Sequence, residues 1–154
     1  MLLDEQVIMT TETIHPILAE DTEKLSALER VLIVDDEVAT LFAYRKLIER
    51  EGIGVDVCES LDEAIEQIKT HPYYAVIADM RLAGTDNADG LEILSFVRNK
   101  QMDTKVVIVT GYGNKEIEQT ALDMGAAYYF EKPVLPSAIL EVLNLLSSTA
   151  GNKK

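Results

Sequence analysis

The chain has 154 residues, of which 47% are hydrophobic and 27% are charged, a composition typical of one globular domain rather than a disordered chain. Its net charge of −13 argues against direct binding of nucleic acid or of an anionic membrane surface, because both need clusters of Lys and Arg. The single cysteine, the absence of a basic signal-peptide start and the lack of a long apolar run lead us to expect a cytoplasmic protein.

The first 29 residues differ from the rest of the chain in charge. They hold seven acidic residues against one lysine, which is close to half of the net charge. We interpret residues 1–29 as an acidic N-terminal arm or linker. The alternative is a helix that packs on a partner or on a second copy of the chain.

From Arg30 onward, short apolar runs typical of buried strands alternate with stretches of helical periodicity. The predicted strands cover residues 31–34, 53–57, 74–79, 105–109 and 127–130. The predicted helices cover residues 38–51, 61–70, 91–99, 114–124 and 136–146. This alternation predicts an α/β fold with right-handed crossovers and a parallel sheet covered by helices on both faces.

Two helices carry more specific signals. In the first, one face carries Val38, Leu41, Phe42, Arg45 and Ile48, of which only Arg45 is polar, and this pattern predicts the face that packs on the sheet. In the second, Ser60-Leu61-Asp62-Glu63 has the form of a capping box, in which the Ser and Glu side chains accept hydrogen bonds from free N–H groups at the helix start.

Polar residues follow four of the predicted strands. They are Asp35 and Asp36, Asp79, Thr110 and Lys132. Because ligands bind at the carboxyl ends of parallel strands, we expect these side chains to share one crevice. Three carboxylates in one place repel each other, and Mg²⁺, which prefers oxygen ligands, would relieve the repulsion. Lys132 and Thr110 could then bind phosphoryl oxygens while a carboxylate attacks phosphorus.

Each of these residues has a plainer interpretation when it is taken alone. Asp35 and Asp36 could cap the first helix, since acidic residues favour helix N-termini. Asp79 and Lys132 could be ordinary turn residues, and Thr110 could simply begin a loop. The functional interpretation depends on all of the motifs occurring together.

Taken together, the motifs resemble the receiver domain of two-component response regulators, the CheY-like superfamily. The resemblance covers residues 30–147 and leaves 148–154 as a short C-terminal tail. The matching motifs are Val34-Asp35-Asp36-Glu37, Asp79, Thr110-Gly111 and Lys132-Pro133. The resemblance implies a flavodoxin-like (βα)5 fold with a doubly wound parallel sheet in the strand order 2-1-3-4-5.

The resemblance also implies a role for each site residue. Asp79 would be the phosphoacceptor. Asp35, Asp36 and Asp79, with the backbone carbonyl of Arg81, would hold the Mg²⁺ cofactor. Lys132 would bind the phosphoryl group.

Three further features are implied in the same way. Thr110 would bind the phosphoryl group and act as the switch hydroxyl. Tyr129 would be the aromatic residue that turns inward on activation. The peptide bond between Lys132 and Pro133 would be cis.

The chain departs from the family pattern soon after the acceptor. Where receivers commonly read Pro-Gly-Met-Asp-Gly, this chain reads Ala83-Gly84-Thr85-Asp86-Asn87-Ala88-Asp89-Gly90, so the loop is predicted to be three residues longer. Tyr112, two residues after Thr110, is bulky beside the predicted phosphoryl site. We hypothesise that it slows the attack of water on the phosphoaspartate.

The leading hypothesis is a signalling module that takes a phosphoryl group from a sensor histidine kinase or a histidine phosphotransfer protein. It would change its affinity for an unknown downstream protein through the face formed by helix 4, strand 5 and helix 5. Only seven residues follow residue 147, so we expect output through protein binding, homodimerisation or phosphoryl transfer. We expect no enzyme activity beyond the domain's own phosphorylation and dephosphorylation.

Two alternatives remain open at this point. The first is a Mg²⁺-dependent phosphatase or phosphotransferase with an Asp nucleophile. Arg81 counts against it, because such enzymes commonly have a second acid two residues after the nucleophile. The second is a receiver-like interaction module that works without phosphorylation, against which the complete set of site residues counts.

Overall fold

The computed structural model describes residues 30–82, 88–100 and 103–151. The predictions made for residues 1–29 and for the longer loop at 83–87 lie outside these residues. None of the helices in the described part of the chain is long and apolar enough to cross a membrane.

Within the residues that the structure describes, five strands alternate with five helices, as predicted. The strands are β1 (Arg30–Val34), β2 (Gly54–Cys58), β3 (Ala75–Asp79), β4 (Lys105–Thr110) and β5 (Tyr128–Glu131). The helices are α1 (Val38–Arg50), α2 (Leu61–Thr70), α3 (Asp89–Lys100), α4 (Lys115–Asp123) and α5 (Pro136–Gly151). The largest boundary difference is in α5, which continues to Gly151 instead of ending at Leu146.

All strand pairs in the sheet are parallel, in the order β2-β1-β3-β4-β5. The central strand β3 is buried along its whole length, as expected for a strand that is covered on both faces. This arrangement confirms the predicted α/β class and the flavodoxin-like strand order.

Two hydrophobic cores lie on opposite faces of the sheet. Alternate residues of β1 enter different cores, with Leu32 and Val34 in one and Val31 and Ile33 in the other, because successive side chains of a strand point to opposite faces. Buried residues of α2, α3 and α4 complete the first core, and those of α1 and α5 complete the second. The helices therefore leave the carboxyl edge of the sheet free for a site.

The predicted buried face of α1 is partly wrong. Val38 and Phe42 are 63% and 62% exposed. Tyr44, which the prediction left out, is buried together with Leu41 and Ile48. The Tyr44 hydroxyl donates a hydrogen bond of 3.1 Å to a backbone carbonyl in the loop after β5, and this contact holds the helix at a rotation that turns Phe42 outward.

The predicted capping of α2 is confirmed. Ser60 is the N-cap residue, and its hydroxyl oxygen accepts a hydrogen bond of 3.2 Å from the backbone N–H of Glu63. The Glu63 carboxylate accepts one of 2.8 Å from the N–H of Glu59, one residue earlier than in the standard capping box.

The buried thiol of Cys58 makes the free energy of unfolding depend on pH in the alkaline range. Burial, with Glu63 and Asp56 nearby, raises the pKa of Cys58 to about 12, against about 8.5 in an unfolded chain. The folded state therefore holds this proton more tightly, so the stabilisation is complete below pH 8.5 and is lost as the pH rises toward 12. We expect the free energy of unfolding to fall by about 1.6 kcal/mol more between pH 8.5 and 10 in the wild type than in Cys58→Ala. Urea unfolding at several pH values measures this difference, and equal slopes for the two proteins would contradict it.

Candidate functional site

The predicted site residues lie at the carboxyl ends of neighbouring strands. Asp35 follows β1, Asp79 ends β3, Thr110 ends β4 and Lys132 follows β5. Because β1, β3, β4 and β5 are consecutive in the sheet, these residues form one crevice at its carboxyl edge. Asp35, Asp79 and Thr110 are buried, whereas the neighbouring Asp36 is exposed.

Three carboxylates meet in this crevice. One oxygen atom from each of Asp35, Asp36 and Asp79 lies within 4.8 Å of the others. A set of hard oxygen donors at this spacing fits a divalent cation such as Mg²⁺, which is held by carboxylates and retains several waters. The structure therefore brings together an acidic cluster that could hold a metal ion.

The Lys132 ammonium joins two of these carboxylates. Its Nζ atom lies 2.8 Å from Oδ2 of Asp35 and 3.0 Å from Oδ2 of Asp79, and 3.8 Å from Oε1 of Glu37. Burial acts to lower the pKa of Lys132, but the hydrogen bonds to Asp35 and Asp79 outweigh burial and hold the pKa above its ordinary value. Lys132 is therefore charged at neutral pH and partly compensates the acidic cluster.

Burial makes the Asp79 charge costly. Burial raises the pKa of Asp79, and the nearby Asp35 charge raises it further. Hydrogen bonds from Lys132 and from the Arg81 N–H lower it. The pKa that results lies above the ordinary value. A carboxylate with little solvation is more reactive toward an electrophile than a fully hydrated one. A bound cation would relieve the remaining repulsion between Asp79 and Asp35.

Backbone contacts fix the two buried acids. Oδ1 of Asp35 accepts a hydrogen bond of 2.9 Å from the N–H of Glu37, the N-cap residue of α1. At Asp79 the start of α3 comes unusually close, because a Cβ atom on Gly90 would lie 2.8 Å from the Asp79 carbonyl oxygen and 2.9 Å from Cα of Met80. Glycine is therefore required at position 90, a role that the sequence analysis did not assign.

Thr110 and Tyr129 lie on neighbouring strands and approach the same glycine. Oγ1 of Thr110 accepts a hydrogen bond of 3.0 Å from the N–H of Tyr112. A Cβ atom on Gly113 would overlap the Tyr129 hydroxyl and lie 3.0 Å from Cγ2 of Thr110. The Tyr129 hydroxyl is buried and has no hydrogen-bond partner among the described residues.

The remaining predicted site features lie beside this crevice. The N–H of Arg81 donates a hydrogen bond of 3.3 Å to Oδ1 of Asp79. The peptide bond between Lys132 and Pro133 is cis. A cavity of about 530 Å³ adjoins the Lys132 side chain on the side of α1. Its lining includes Glu37, Thr40, Tyr44, Pro133 and Val134.

Comparison with known proteins agrees with this geometry. The family model of the response regulator receiver domain matches residues 31–144. The acid tolerance regulatory protein ActR of Rhizobium meliloti (strain 1021) is 33% identical over 125 residues, which are 81% of this chain and 63% of that protein. The photosynthetic apparatus regulatory protein RegA of Rhodobacter capsulatus is 32% identical over 126 residues, which are 80% of this chain and 66% of that protein. The chain thus spans somewhat less than two thirds of the length of these relatives.

Solved structures of receiver domains are also similar to this chain. A CheY-like response regulator receiver domain from Methanospirillum hungatei JF-1 has a TM-score of 0.75 at 28% identity, covering 82% of this chain and 98% of that one. The beryllofluoride-activated NtrC4 receiver domain dimer has a TM-score of 0.72 at 26% identity, covering 79% of this chain and 98% of that one. With the family match over most of its length, the chain belongs to the response regulator receiver domains of two-component signalling.

Proposed function

We propose that Asp79 accepts a phosphoryl group from a sensor histidine kinase or a histidine phosphotransfer protein in a Mg²⁺-dependent reaction. The observation that carries the proposal is the Lys132 ammonium, which bridges Asp35 and Asp79 at 2.8 and 3.0 Å beside a third carboxylate. This arrangement pairs an acceptor with positive charge and with metal ligands.

In the proposed step, a carboxylate oxygen of Asp79 forms a bond to phosphorus. The bond between phosphorus and the donor atom breaks at the same time, and the donor leaves with that electron pair. Lys132 then exchanges its contact with Asp79 for a phosphoryl oxygen, and the Thr110 hydroxyl donates to another. Asp35, Asp36, Asp79 and the Arg81 carbonyl would hold Mg²⁺, which supplies positive charge to the phosphoryl oxygens when it is bound.

The effect of phosphorylation on the binding of other proteins is part of the same proposal. The new phosphoryl charge draws Thr110 toward it, Tyr129 follows, and the surface of α4, β5 and α5 changes its affinity for a downstream protein or for a second copy of the chain. Leu122 on α4 and Leu145 on α5 are exposed, which supports a protein-binding role for this surface. Receiver domains are generally signal transducers and not enzymes, so we propose no activity on other substrates.

Intact-protein mass after incubation with acetyl phosphate tests the proposal. We expect a single phosphoryl adduct on the wild type with Mg²⁺, little or none after chelation of the metal, and none on Asp79→Asn. Asp62→Asn is the matched control, because Asp62 is an exposed acid on α2, and it should form the adduct as the wild type does. An adduct on Asp79→Asn would contradict the proposal.

A further inference from the structure

A buried tyrosine on α1 is hydrogen-bonded to the loop that follows β5. Tyr44 is 5% exposed, and its hydroxyl donates a hydrogen bond of 3.1 Å to the backbone carbonyl of Val134, 90 residues further along the chain. The hydroxyl of Tyr74, which belongs to the same core, is also buried but has no hydrogen-bond partner among the described residues. A buried tyrosine hydroxyl usually has a partner for stability alone, and it is what the Tyr44 bond holds that suggests a further role.

The loop between β5 and α5 is short and carries the lysine of the crevice. It consists of residues 132–135, and Val134 comes two residues after Lys132. The N–H of Lys132 donates a hydrogen bond of 2.8 Å to the carbonyl of Thr110, which attaches the start of the loop to β4. The Tyr44 hydroxyl attaches the loop to α1 two residues later, so the backbone from Lys132 to Val134 is held at both ends.

The same side of α1 also faces the Lys132 side chain. Glu37 is the N-cap residue of α1, and its Oε1 atom lies 3.8 Å from Nζ of Lys132. Tyr44 comes about two helical turns after Glu37, so the two residues share one side of the helix. Burial raises the pKa of Tyr44, the Lys132 charge lowers it and the Asp35 charge raises it. The Tyr44 hydroxyl is therefore close enough to the crevice to be affected by its charges.

We propose that Tyr44 is a positioning residue for phosphoryl transfer, which holds the loop after β5 through Val134 so that the Lys132 ammonium reaches the transferring phosphoryl group. The inference rests on the proposed function, since it concerns a phosphoryl group that passes to Asp79. Tyr44 takes no part in the bond changes and acts through the backbone that carries Lys132.

The position of the loop matters most during the transfer itself. Before the transfer, Asp35 and Asp79 hold Nζ of Lys132 directly, at 2.8 and 3.0 Å, so its place depends little on Tyr44. An Asp79 oxygen then forms its bond to phosphorus while the bond to the donor breaks and the donor leaves with that electron pair. Lys132 exchanges its contact with Asp79 for a phosphoryl oxygen in this step. The backbone behind the ammonium must now place it, because a misplaced positive charge stabilises the transition state less.

The expected effect is that of one hydrogen bond. Tyr44→Phe removes the hydroxyl group and leaves the ring in the core, so the Val134 carbonyl loses its partner. We expect phosphorylation by acetyl phosphate with Mg²⁺ to become about three- to tenfold slower than in the wild type. Affinity for Mg²⁺ alone, measured by calorimetry, should be unchanged, because the acidic cluster is intact.

Tyr74→Phe is the matched control. Tyr74 is also 5% exposed and belongs to the same core, but its hydroxyl has no partner among the described residues, so this variant should be phosphorylated at the wild-type rate. Tyr44→Met provides a second side chain without a hydroxyl group and should be slowed at least as much as Tyr44→Phe. Urea unfolding verifies that each variant is folded under the conditions of the rate measurement.

The Lys132→Met background separates positioning from a general disturbance of the site. If Tyr44 acts through Lys132, Tyr44→Phe should slow the wild type but should not slow Lys132→Met any further. A general disturbance would slow both backgrounds by the same factor. The initial rate of adduct formation, followed by intact-protein mass, gives all four values of this cycle.

The outcomes distinguish this inference from the function on which it rests. A wild-type rate in Tyr44→Phe, an equal slowing in Tyr74→Phe, or the same factor in both Lys132 backgrounds would each overturn the inference and leave the proposed function intact. If the wild type never forms an adduct, the proposed function fails and the inference fails with it.

Discussion

Lys132→Met is expected to lower the free energy of unfolding by about 2 kcal/mol in the absence of Mg²⁺. The substitution keeps a side chain of similar length but removes the ammonium that lies 2.8 Å from Asp35 and 3.0 Å from Asp79. Both carboxylates are almost fully buried, and the pKa of Asp79 already lies above its ordinary value because of burial. Removing one partner of a buried ion pair usually costs about 3–5 kcal/mol, and the partial exposure of Lys132 reduces that figure.

Addition of Mg²⁺ is expected to restore most of the stability that Lys132→Met loses. A cation held by Asp35, Asp36 and Asp79 would replace the missing positive charge, so the variant should gain more stability from Mg²⁺ than the wild type does. Phosphorylation by acetyl phosphate should still be about 100-fold slower, because the ammonium that would bind a phosphoryl oxygen is absent.

Urea unfolding with and without Mg²⁺ measures these changes. Lys69→Met is the control, since Lys69 is an exposed lysine on α2, and it should stay within about 0.5 kcal/mol of the wild type in both conditions. A Lys132→Met protein that is as stable as the wild type without Mg²⁺ would show that Lys132 does not compensate the acidic cluster.

The sequence is sufficient to predict the strands and the residues at their ends, because both depend on local patterns. An apolar run that ends in a polar residue indicates a buried strand and its carboxyl edge, and parallel neighbours then bring those ends together. This reasoning correctly predicted that Asp35, Asp79, Thr110 and Lys132 surround one crevice, whereas the strand order was implied by the family resemblance alone.

Contacts between distant side chains could not be predicted in the same way. Phe42 fits the apolar face of α1 by its spacing, yet the Tyr44 contact with the loop after β5 fixes a helix rotation that exposes it. The Arg81 guanidinium stacks on the Tyr112 ring, with Cζ 4.3 Å from the ring centroid, and the sequences of the two loops give no sign of this contact. Helix rotation and side-chain packing depend on tertiary contacts that no local pattern encodes.

Gly113 is a further position whose importance appears only in three dimensions. A Cβ atom there would overlap the Tyr129 hydroxyl and lie 3.0 Å from both Cζ of Tyr129 and Cγ2 of Thr110. Its backbone is not in the left-handed region, since the glycines with positive φ in the described residues are Gly52 and Gly125. Alanine therefore suits the backbone, and the conflict is with the side chains alone.

We expect Gly113→Ala to displace the half-buried Tyr129 ring and to lower the free energy of unfolding by about 1–3 kcal/mol. Gly111→Ala is the matched control, because no heavy atom lies within 4 Å of a Cβ built on Gly111. Tyr129→Phe removes the overlapping oxygen, so it should recover part of the loss in the Gly113→Ala background. Alone it should be neutral or slightly stabilising, since the buried hydroxyl has no partner among the described residues.

Titration of the tyrosines by NMR tests the displacement directly. In the wild type, burial raises the pKa of Tyr129, and Glu131 and Glu118 add to the effect. In Gly113→Ala the pKa should return toward its ordinary value as the ring enters solvent, whereas in Gly111→Ala it should stay raised. If the Tyr129 pKa is the same in both variants, the ring has not moved.

The Gly113→Ala variant also tests phosphorylation of Asp79 separately from the conformational response to it. Gly113→Ala leaves Asp79, Lys132 and the acidic cluster unchanged, so it should still form the phosphoryl adduct with acetyl phosphate and Mg²⁺. If the inward position of Tyr129 is what transmits phosphorylation, the adduct should no longer change the NMR signals of α4 and β5 that it changes in the wild type and in Gly111→Ala. A Gly113→Ala protein with a displaced ring and a full response in α4 and β5 would instead show that Thr110 transmits the signal without Tyr129.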